Sequence, residues 1–225
     1  MRIIGDVHGK TDEYLKIVKG CDTSVQVGDM GFNYDHMQKL DYQSHCFVPG
    51  NHDNYNEIKN NPFVNVYATK DFGYCDAVGD GGEPDFFYVR GAHSIDKNMR
   101  VENVDWWEDE ELSYKRLSEA ICYYNRIQHS NLKNDLVITH EAPAQIANMF
   151  PKDILYRFGY CPNWNSRTAH ALQMMWESYQ PKLWIFGHFH QPLDITVNET
   201  RFICLPELAY IDVDRDLNVK FGEGF

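Results

Sequence analysis

The chain has 225 residues and a formal net charge of −12. That charge argues against tracking a long nucleic acid, which needs many phosphates neutralised by Lys and Arg, yet it leaves a small phosphorylated ligand open. Hydrophobic residues make up 43% and aromatic residues 14%, ample for the core of one large α/β domain over residues 1–225 and unlike the composition of a disordered chain.

Met1 to Ile4 is an apolar run that meets Gly5-Asp6 at once. It is too short for a secretory leader, and no run in the chain approaches the roughly 20 residues that span a bilayer. It reads as a strand ended by Gly5-Asp6-Val7-His8-Gly9. A helix over Thr11–Lys19 follows, with Tyr14, Leu15, Ile17 and Val18 on its apolar side. Thr23–Val27 is the second strand, ended by Gly28-Asp29, and a weaker helix covers Asp35–Leu40. Ser44–Val48 is the third, ended by Pro49-Gly50-Asn51-His52-Asp53. Strand, polar loop and helix in this rhythm predict βαβ units and a parallel sheet, whose ligands lie beyond the carboxyl ends of the strands.

The middle is less regular. Val64–Ala68 and Asp85–Val89 read as strands joined through a turn-rich link over Gly79–Pro84. Helical spacing of Leu112, Leu117, Ile121, Tyr124 and Ile127 predicts a helix over Glu110–Gln128, with the acid run Asp105–Glu111 as its solvated start and no part of a site. Leu136–Thr139 is a strand ended by His140-Glu141-Ala142-Pro143. A helix over Ser166–Tyr179 precedes the strand Leu183–Phe186, ended by Gly187-His188-Phe189-His190. Leu193–Val197, Arg201–Leu205 and Tyr210–Val213 are the last strand candidates. The six cysteines include no Cys-x-x-Cys pair and read as reduced, buried thiols, so the expected location is cytoplasmic.

Five of these strands end in metal-ligand chemistry. Asp6 and His8 are two apart at a strand end, so in extended geometry a carboxylate and an imidazole face one side. Asp29 follows about one βαβ repeat later, with two oxygens able to bridge two cations. Asn51 offers a neutral carbonyl oxygen, and His140, His188 and His190 complete the set. All seven residues fall at the same kind of sheet edge.

The ordered set Gly5-Asp6-x-His8, Gly28-Asp29, Gly50-Asn51-His52-Asp53, Thr139-His140 and Gly187-His188-x-His190 resembles the calcineurin-like metallophosphoesterases and spans the chain from Asp6 to His190. The resemblance implies a four-layer α/β/β/α sandwich of two mixed sheets, with metals at the strand ends. It implies that Asp6, His8, Asp29 and His190 hold one divalent cation and that Asp29, Asn51, His140 and His188 hold a second. Two such cations share a hydroxide that attacks phosphorus in line, and they offset the charge on the phosphoryl oxygens. His52 would then stand near the leaving oxygen, with Asp53 orienting it and favouring the charged ring. Mixed oxygen and nitrogen ligands without thiolate suit Mn, Fe, Ni or a catalytic Zn, with Mn favoured.

Arg90 and His93, in the turn after the Asp85–Val89 strand, are candidate substrate-binding residues; the alternative for Arg90 is a pair with a neighbouring acid. Arg100, Arg157 and Arg167 are further candidate cations. The Ser/Thr protein phosphatases of this superfamily follow the second motif with Asp-Arg-Gly and end the third in Glu. Here Asp29-Met30-Gly31 and Asp53 stand instead. The reading is therefore hydrolysis of a phosphomonoester or phosphodiester of a small molecule or nucleotide. The alternatives are a protein phosphatase, a nuclease, or a scaffold that has lost its metals, the last of which predicts broken ligand positions.

Overall fold

Short strands form two sheets whose central strands are buried on both faces. The computed structural model describes residues 1–41, 43–64, 68–76, 83–128, 130, 135–161, 163–222 and 224–225. In the first sheet β1 (Arg2–Ile4), β2 (Ser24–Gln26) and β3 (His45–Phe47) run parallel, with Ile3, Val25 and Cys46 in register. Two strands from the far end of the chain, β10 (Tyr210–Val213) and β11 (Val219–Phe221), extend it antiparallel beside β1. The second sheet contains β4 (Phe72–Cys75), β5 (Phe86–Val89), β6 (Leu136–Thr139), β7 (Leu183–Phe186), β8 (Leu193–Val197) and β9 (Thr200–Cys204). Its order is β4-β5-β6-β7-β9-β8, with β5, β6, β7 and β9 parallel and the two edge strands antiparallel.

Alternation along each strand decides the layers. Ile3, Val25 and Val48 of the first sheet pack against Phe86, Tyr88, Leu136, Ile138, Leu183 and Ile185 of the second. The intervening side chains face outward: Phe87, Val137, Trp184 and Phe186 meet α3 (Tyr114–Gln128) and α6 (Arg167–Ser178). On the other side Ile4 and Phe47 meet α1 (Thr11–Val18) and α2 (Tyr55–Asn60) through Tyr14, Val18 and Ile58. Helix, sheet, sheet and helix make the four layers that the family resemblance implied. Two short helices, α4 (Ala144–Ala147) and α5 (Asp153–Arg157), follow β6 and border the site.

Several boundaries differ from expectation. Asp35–Lys39 forms a 3-10 turn. The helix expected from Glu110 starts at Tyr114, because Glu111 has extended backbone and both Glu110 and Glu111 are buried with their carboxylates bonded inward. The acid run is therefore not a solvated helix start. Ser166 lies outside α6 as its cap, accepting a hydrogen bond from the Ala169 amide at 2.9 Å. Strands β4 and β11 and helices α2, α4 and α5 had no clear periodic signal. The expected strand over Val64–Ala68 and the link over Gly79–Pro84 lie in part outside the described residues. All six cysteines are free, but only Cys46 and Cys204 are buried, and Cys122 and Cys161 are exposed. Cys122 sits on α3, where one helical face points to solvent whatever its neighbours are.

Candidate metal centre

Loops from both sheets meet at the carboxyl ends of five strands: Asp6 and His8 follow β1, Asp29 follows β2, Asn51 follows β3, His140 follows β6, and His188 and His190 follow β7. The donor atoms of Asp6, His8, Asp29 and His190 all lie within 4.8 Å of one another. His140 Nε2 lies 3.0 Å from Asn51 Oδ1 and 3.3 Å from Asp29 Oδ1. The His188 ring stands edge-on to that of His140, with centroids 5.0 Å apart. Asp29 joins the two groups: Oδ1 faces His140, while Oδ2 lies 3.8 Å from His8 Nε2.

The backbone is strained to achieve this. His8, Asp29, His188 and His190 all have positive φ, at 48°, 56°, 69° and 54°. A non-glycine residue in that region costs of order 1 kcal/mol, and such residues concentrate at functional sites. Gly187 and Gly50 supply the clearance. A Cβ on Gly187 would collide with Asp6 Oδ1, and one on Gly50 with Asp29 Oδ1 and with His140 Nε2.

The donor set suits cations. His140 Nδ1 lies 2.8 Å from the Val27 carbonyl, so it carries the hydrogen there and turns the lone pair of Nε2 toward two oxygens. Those acceptors repel unless a proton or a metal stands among them. Burial alone would lower the His140 pKa, but Asp29 outweighs it and pushes the ring up to about 10, a proton standing in for a cation. Asp29 Oδ2 is buried with no hydrogen-bond donor. Burial, reinforced by the charge of Asp29, drives Asp6 well above the usual carboxylate range. Burial also lowers His8, His188 and His190, keeping them as the neutral imidazoles that ligate metals.

A family model for calcineurin-like phosphoesterases matches residues 2–192. The chain belongs to this family. That family binds two divalent metals. A lariat debranching enzyme of Entamoeba histolytica is 25% identical over 196 residues, 82% of this chain and 53% of that protein. The chain thus spans about half the length of this curated relative. The fold is shared with a phosphopantetheinyl hydrolase from Mycobacterium tuberculosis at 13% identity (TM-score 0.55, covering 92% of this chain and 89% of that one). It is likewise shared with a dimetal phosphatase from Danio rerio at 12% identity (TM-score 0.53, covering 94% and 92%).

Around the candidate metal ligands, the remaining candidates take unexpected partners. Asp53 does not orient His52. Its buried carboxylate accepts from the amides of Asp29 and Gly50 at 2.9 and 2.7 Å, from that of Gly31 at 3.3 Å, and from the Tyr34 hydroxyl at 2.9 Å. It knits two ligand loops together, and burial pushes its pKa up to about 7. The partner of His52 is Arg100, whose guanidinium donates to Nε2 at 3.1 Å and to Asp96 at 2.7 Å. Burial lowers the His52 pKa against the pull of the Asp29 charge, and Arg100 adds to the lowering.

Arg90 is spent on structure, pairing with Asp71, donating to the Asp109 carbonyl and covering the Tyr55 ring. His93 lines the cavity beside the centre with both nitrogens engaged, Nδ1 to Glu111 and Nε2 to the Tyr160 hydroxyl, each at 3.0 Å. Arg167 holds the Glu111 and Leu112 carbonyls. Sequence reasoning did not find Glu110, Glu111, Trp164 or Phe150 near the site. The only signal was the unusual run of acids beside two tryptophans at Asp105–Glu111, a composition that solvated helix starts share.

Proposed function

We propose that this chain hydrolyses a phosphodiester of a small molecule or nucleotide, with Asp29 bridging two divalent cations. The observation that carries the reading is the division of the Asp29 carboxylate between two ligand groups, Asp6, His8 and His190 on one side and Asn51, His140 and His188 on the other. When bound, two divalent cations supply an activated water and polarise the phosphoryl oxygens. The candidate ligands would hold these charges in a preorganised cluster with buried carboxylates, and His52 borders the centre where a leaving oxygen would need a hydrogen-bond donor. Arg100 holds that ring against the cleft wall.

The diester is favoured over the monoester by two clefts that meet at His52 and Asp96. One is a cavity of about 620 Å³ floored by Asn51 and His188, with Ile95, Phe150, Trp164 and Phe189 among its walls. The other, about 530 Å³, runs past His8, Phe32, Met99 and Arg100. A monoester has one substituent to bind, whereas a diester has two. The apolar walls of the first cleft suit an aromatic or apolar arm. Against a protein phosphatase, no arginine follows Asp29, and Arg90 is paired within the protein. Manganese is our first choice of metal, on the mixed oxygen and nitrogen donors.

The test compares p-nitrophenyl phosphate with its bis ester, with added Mn and with chelator. The expected result is Mn-dependent hydrolysis that favours the bis ester. Hydrolysis of the monoester alone refutes the diester reading, and no turnover of either with no metal bound refutes the enzyme reading. Cyclic nucleotides belong in the wider panel, and so does a lariat, because one relative debranches them.

A further inference from the structure

Behind Asn51 a chain of buried groups runs away from the metal centre. The Asn51 amide nitrogen donates to Ser94 Oγ at 3.0 Å. Ser94 Oγ donates in turn to Glu110 Oε2 at 2.9 Å, and the Ser94 backbone amide donates to Glu110 Oε1 at 2.8 Å. Asn51 and Glu110 are each 2% exposed and Ser94 1%, so water does not complete these bonds. Glu110 is itself anchored, since its carbonyl accepts from the Ala92 amide at 3.1 Å and its segment is tied to Arg90 through the Asp109 carbonyl.

The directions of these bonds have a consequence. A carboxylate offers only acceptors. Two of them facing Ser94 compel its hydroxyl hydrogen toward Glu110, which leaves an oxygen lone pair facing Asn51. Only the NH₂ end of the Asn51 amide can meet that lone pair. The Oδ1 end is then turned to the other side, where it lies 3.0 Å from His140 Nε2. An asparagine turned the other way would offer hydrogens to the metal centre, and no cation can bind them.

We propose that Glu110, acting through Ser94, is a positioning residue that sets the orientation of the Asn51 amide and so makes Asn51 a metal ligand. The proposal rests on the dinuclear reading above for its functional weight, but the orientation itself is a property of the metal-free protein.

E110Q tests it with almost no change of shape. The new amide must keep its oxygen toward the Ser94 N–H and therefore aims its NH₂ at Ser94 Oγ. The hydroxyl hydrogen turns to the Asn51 side, and the Asn51 amide rotates. At pH 8, calorimetric titration with Mn is expected to show two sites in the wild type. In E110Q one site is retained and the second is weakened about 10–100-fold, the usual cost of losing a group that orients a metal ligand. S94A removes the acceptor for the Asn51 NH₂ and is expected to weaken the same site.

The double variant E110Q/N51D supplies the acceptor that the reversed hydroxyl needs and ligand oxygens at both ends. It is expected to bind the second cation more tightly than E110Q alone, a recovery that a merely structural role does not give. In metal-free wild type, the Asn51 side-chain NH₂ is expected to give NOEs to the Ser94 side chain, and in E110Q these NOEs are expected to be lost. Equal affinity of both sites in E110Q, or unchanged NOEs, overturns the proposal. A wild type that binds no second cation refutes the dinuclear reading, and the NOEs then decide the orientation independently.

Discussion

On the proposed dinuclear reading, Asp29 is the residue on which the centre depends most, because its two oxygens face different groups of candidate ligands. D29A is expected to reduce turnover to background and to empty the site built from Asn51, His140 and His188; metal content after dialysis and single-turnover hydrolysis check this together. Normal turnover in that variant refutes the bridge. H52A leaves the ligands in place and is expected to lower kcat by roughly 10²–10⁴-fold, the range for loss of a general acid or base, with metal stoichiometry unchanged. Asp53 acts differently. Its truncation in D53A strands the buried amides of Asp29 and Gly50, at about 1–3 kcal/mol for each. D53A is expected to lose about 2–6 kcal/mol in urea unfolding, with activity falling through disorder of the loops rather than through loss of a proton donor.

At the level of elements, the segment from Glu108 to Glu111 supports the loop that follows β5. Burial pushes Glu110 up to about 7 from an ordinary value of 4.5. The native state therefore holds its proton more tightly than the unfolded chain does. Its contribution to stability is full below about pH 4.5 and is lost as pH rises toward 7, a change on the order of 3 kcal/mol. Urea unfolding of wild type and E110Q between pH 5 and 7.5 is expected to show the variant gaining on the wild type as pH rises. A pH-independent difference contradicts the buried, proton-holding carboxyl. Strand β7 makes a second element-scale case: Trp184 is fully buried and donates to Thr139 Oγ1 of β6 at 2.9 Å. W184A is expected to cost about 3–5 kcal/mol and to loosen the strand ends that carry His140 and His188.

Across the whole molecule, the centre gathers acceptor oxygens from both sheets that cations would join. Asp6, Asp29 and Asn51 turn acceptor oxygens into the centre, where the proton of His140 stands in for a cation, and left-handed backbone at four candidate ligands adds strain. Metal binding should therefore stabilise the fold. At a free Mn concentration 100 times the Kd, one site contributes about 2.7 kcal/mol. Thermal unfolding with Mn and with chelator is expected to show a Tm several degrees higher for the loaded protein, and no difference contradicts a metal site at the junction of the two sheets. Among the described residues no helix is long and apolar enough to cross a membrane.

The convergence of the candidate ligands was legible in the chain because each belongs to the loop that follows an apolar run. A parallel α/β sheet gathers such strand ends at one edge whatever the remaining sequence is. Apolar residues on both faces of β5, β6 and β7 likewise announced strands buried on both sides. Partnerships formed across long separations were not legible. Arg100 bonds His52 across 48 residues, Asp53 joins loops more than 20 residues apart, and Glu110 reaches Asn51 through a serine between them in the chain. Asp, Glu and Arg each look alike in sequence whether they face water or a buried amide. The local chain determined which atoms could bind a metal. Only tertiary packing decided which charges were taken out of water and what they were made to hold, because desolvation depends on the layers above and below a residue and not on its neighbours in sequence.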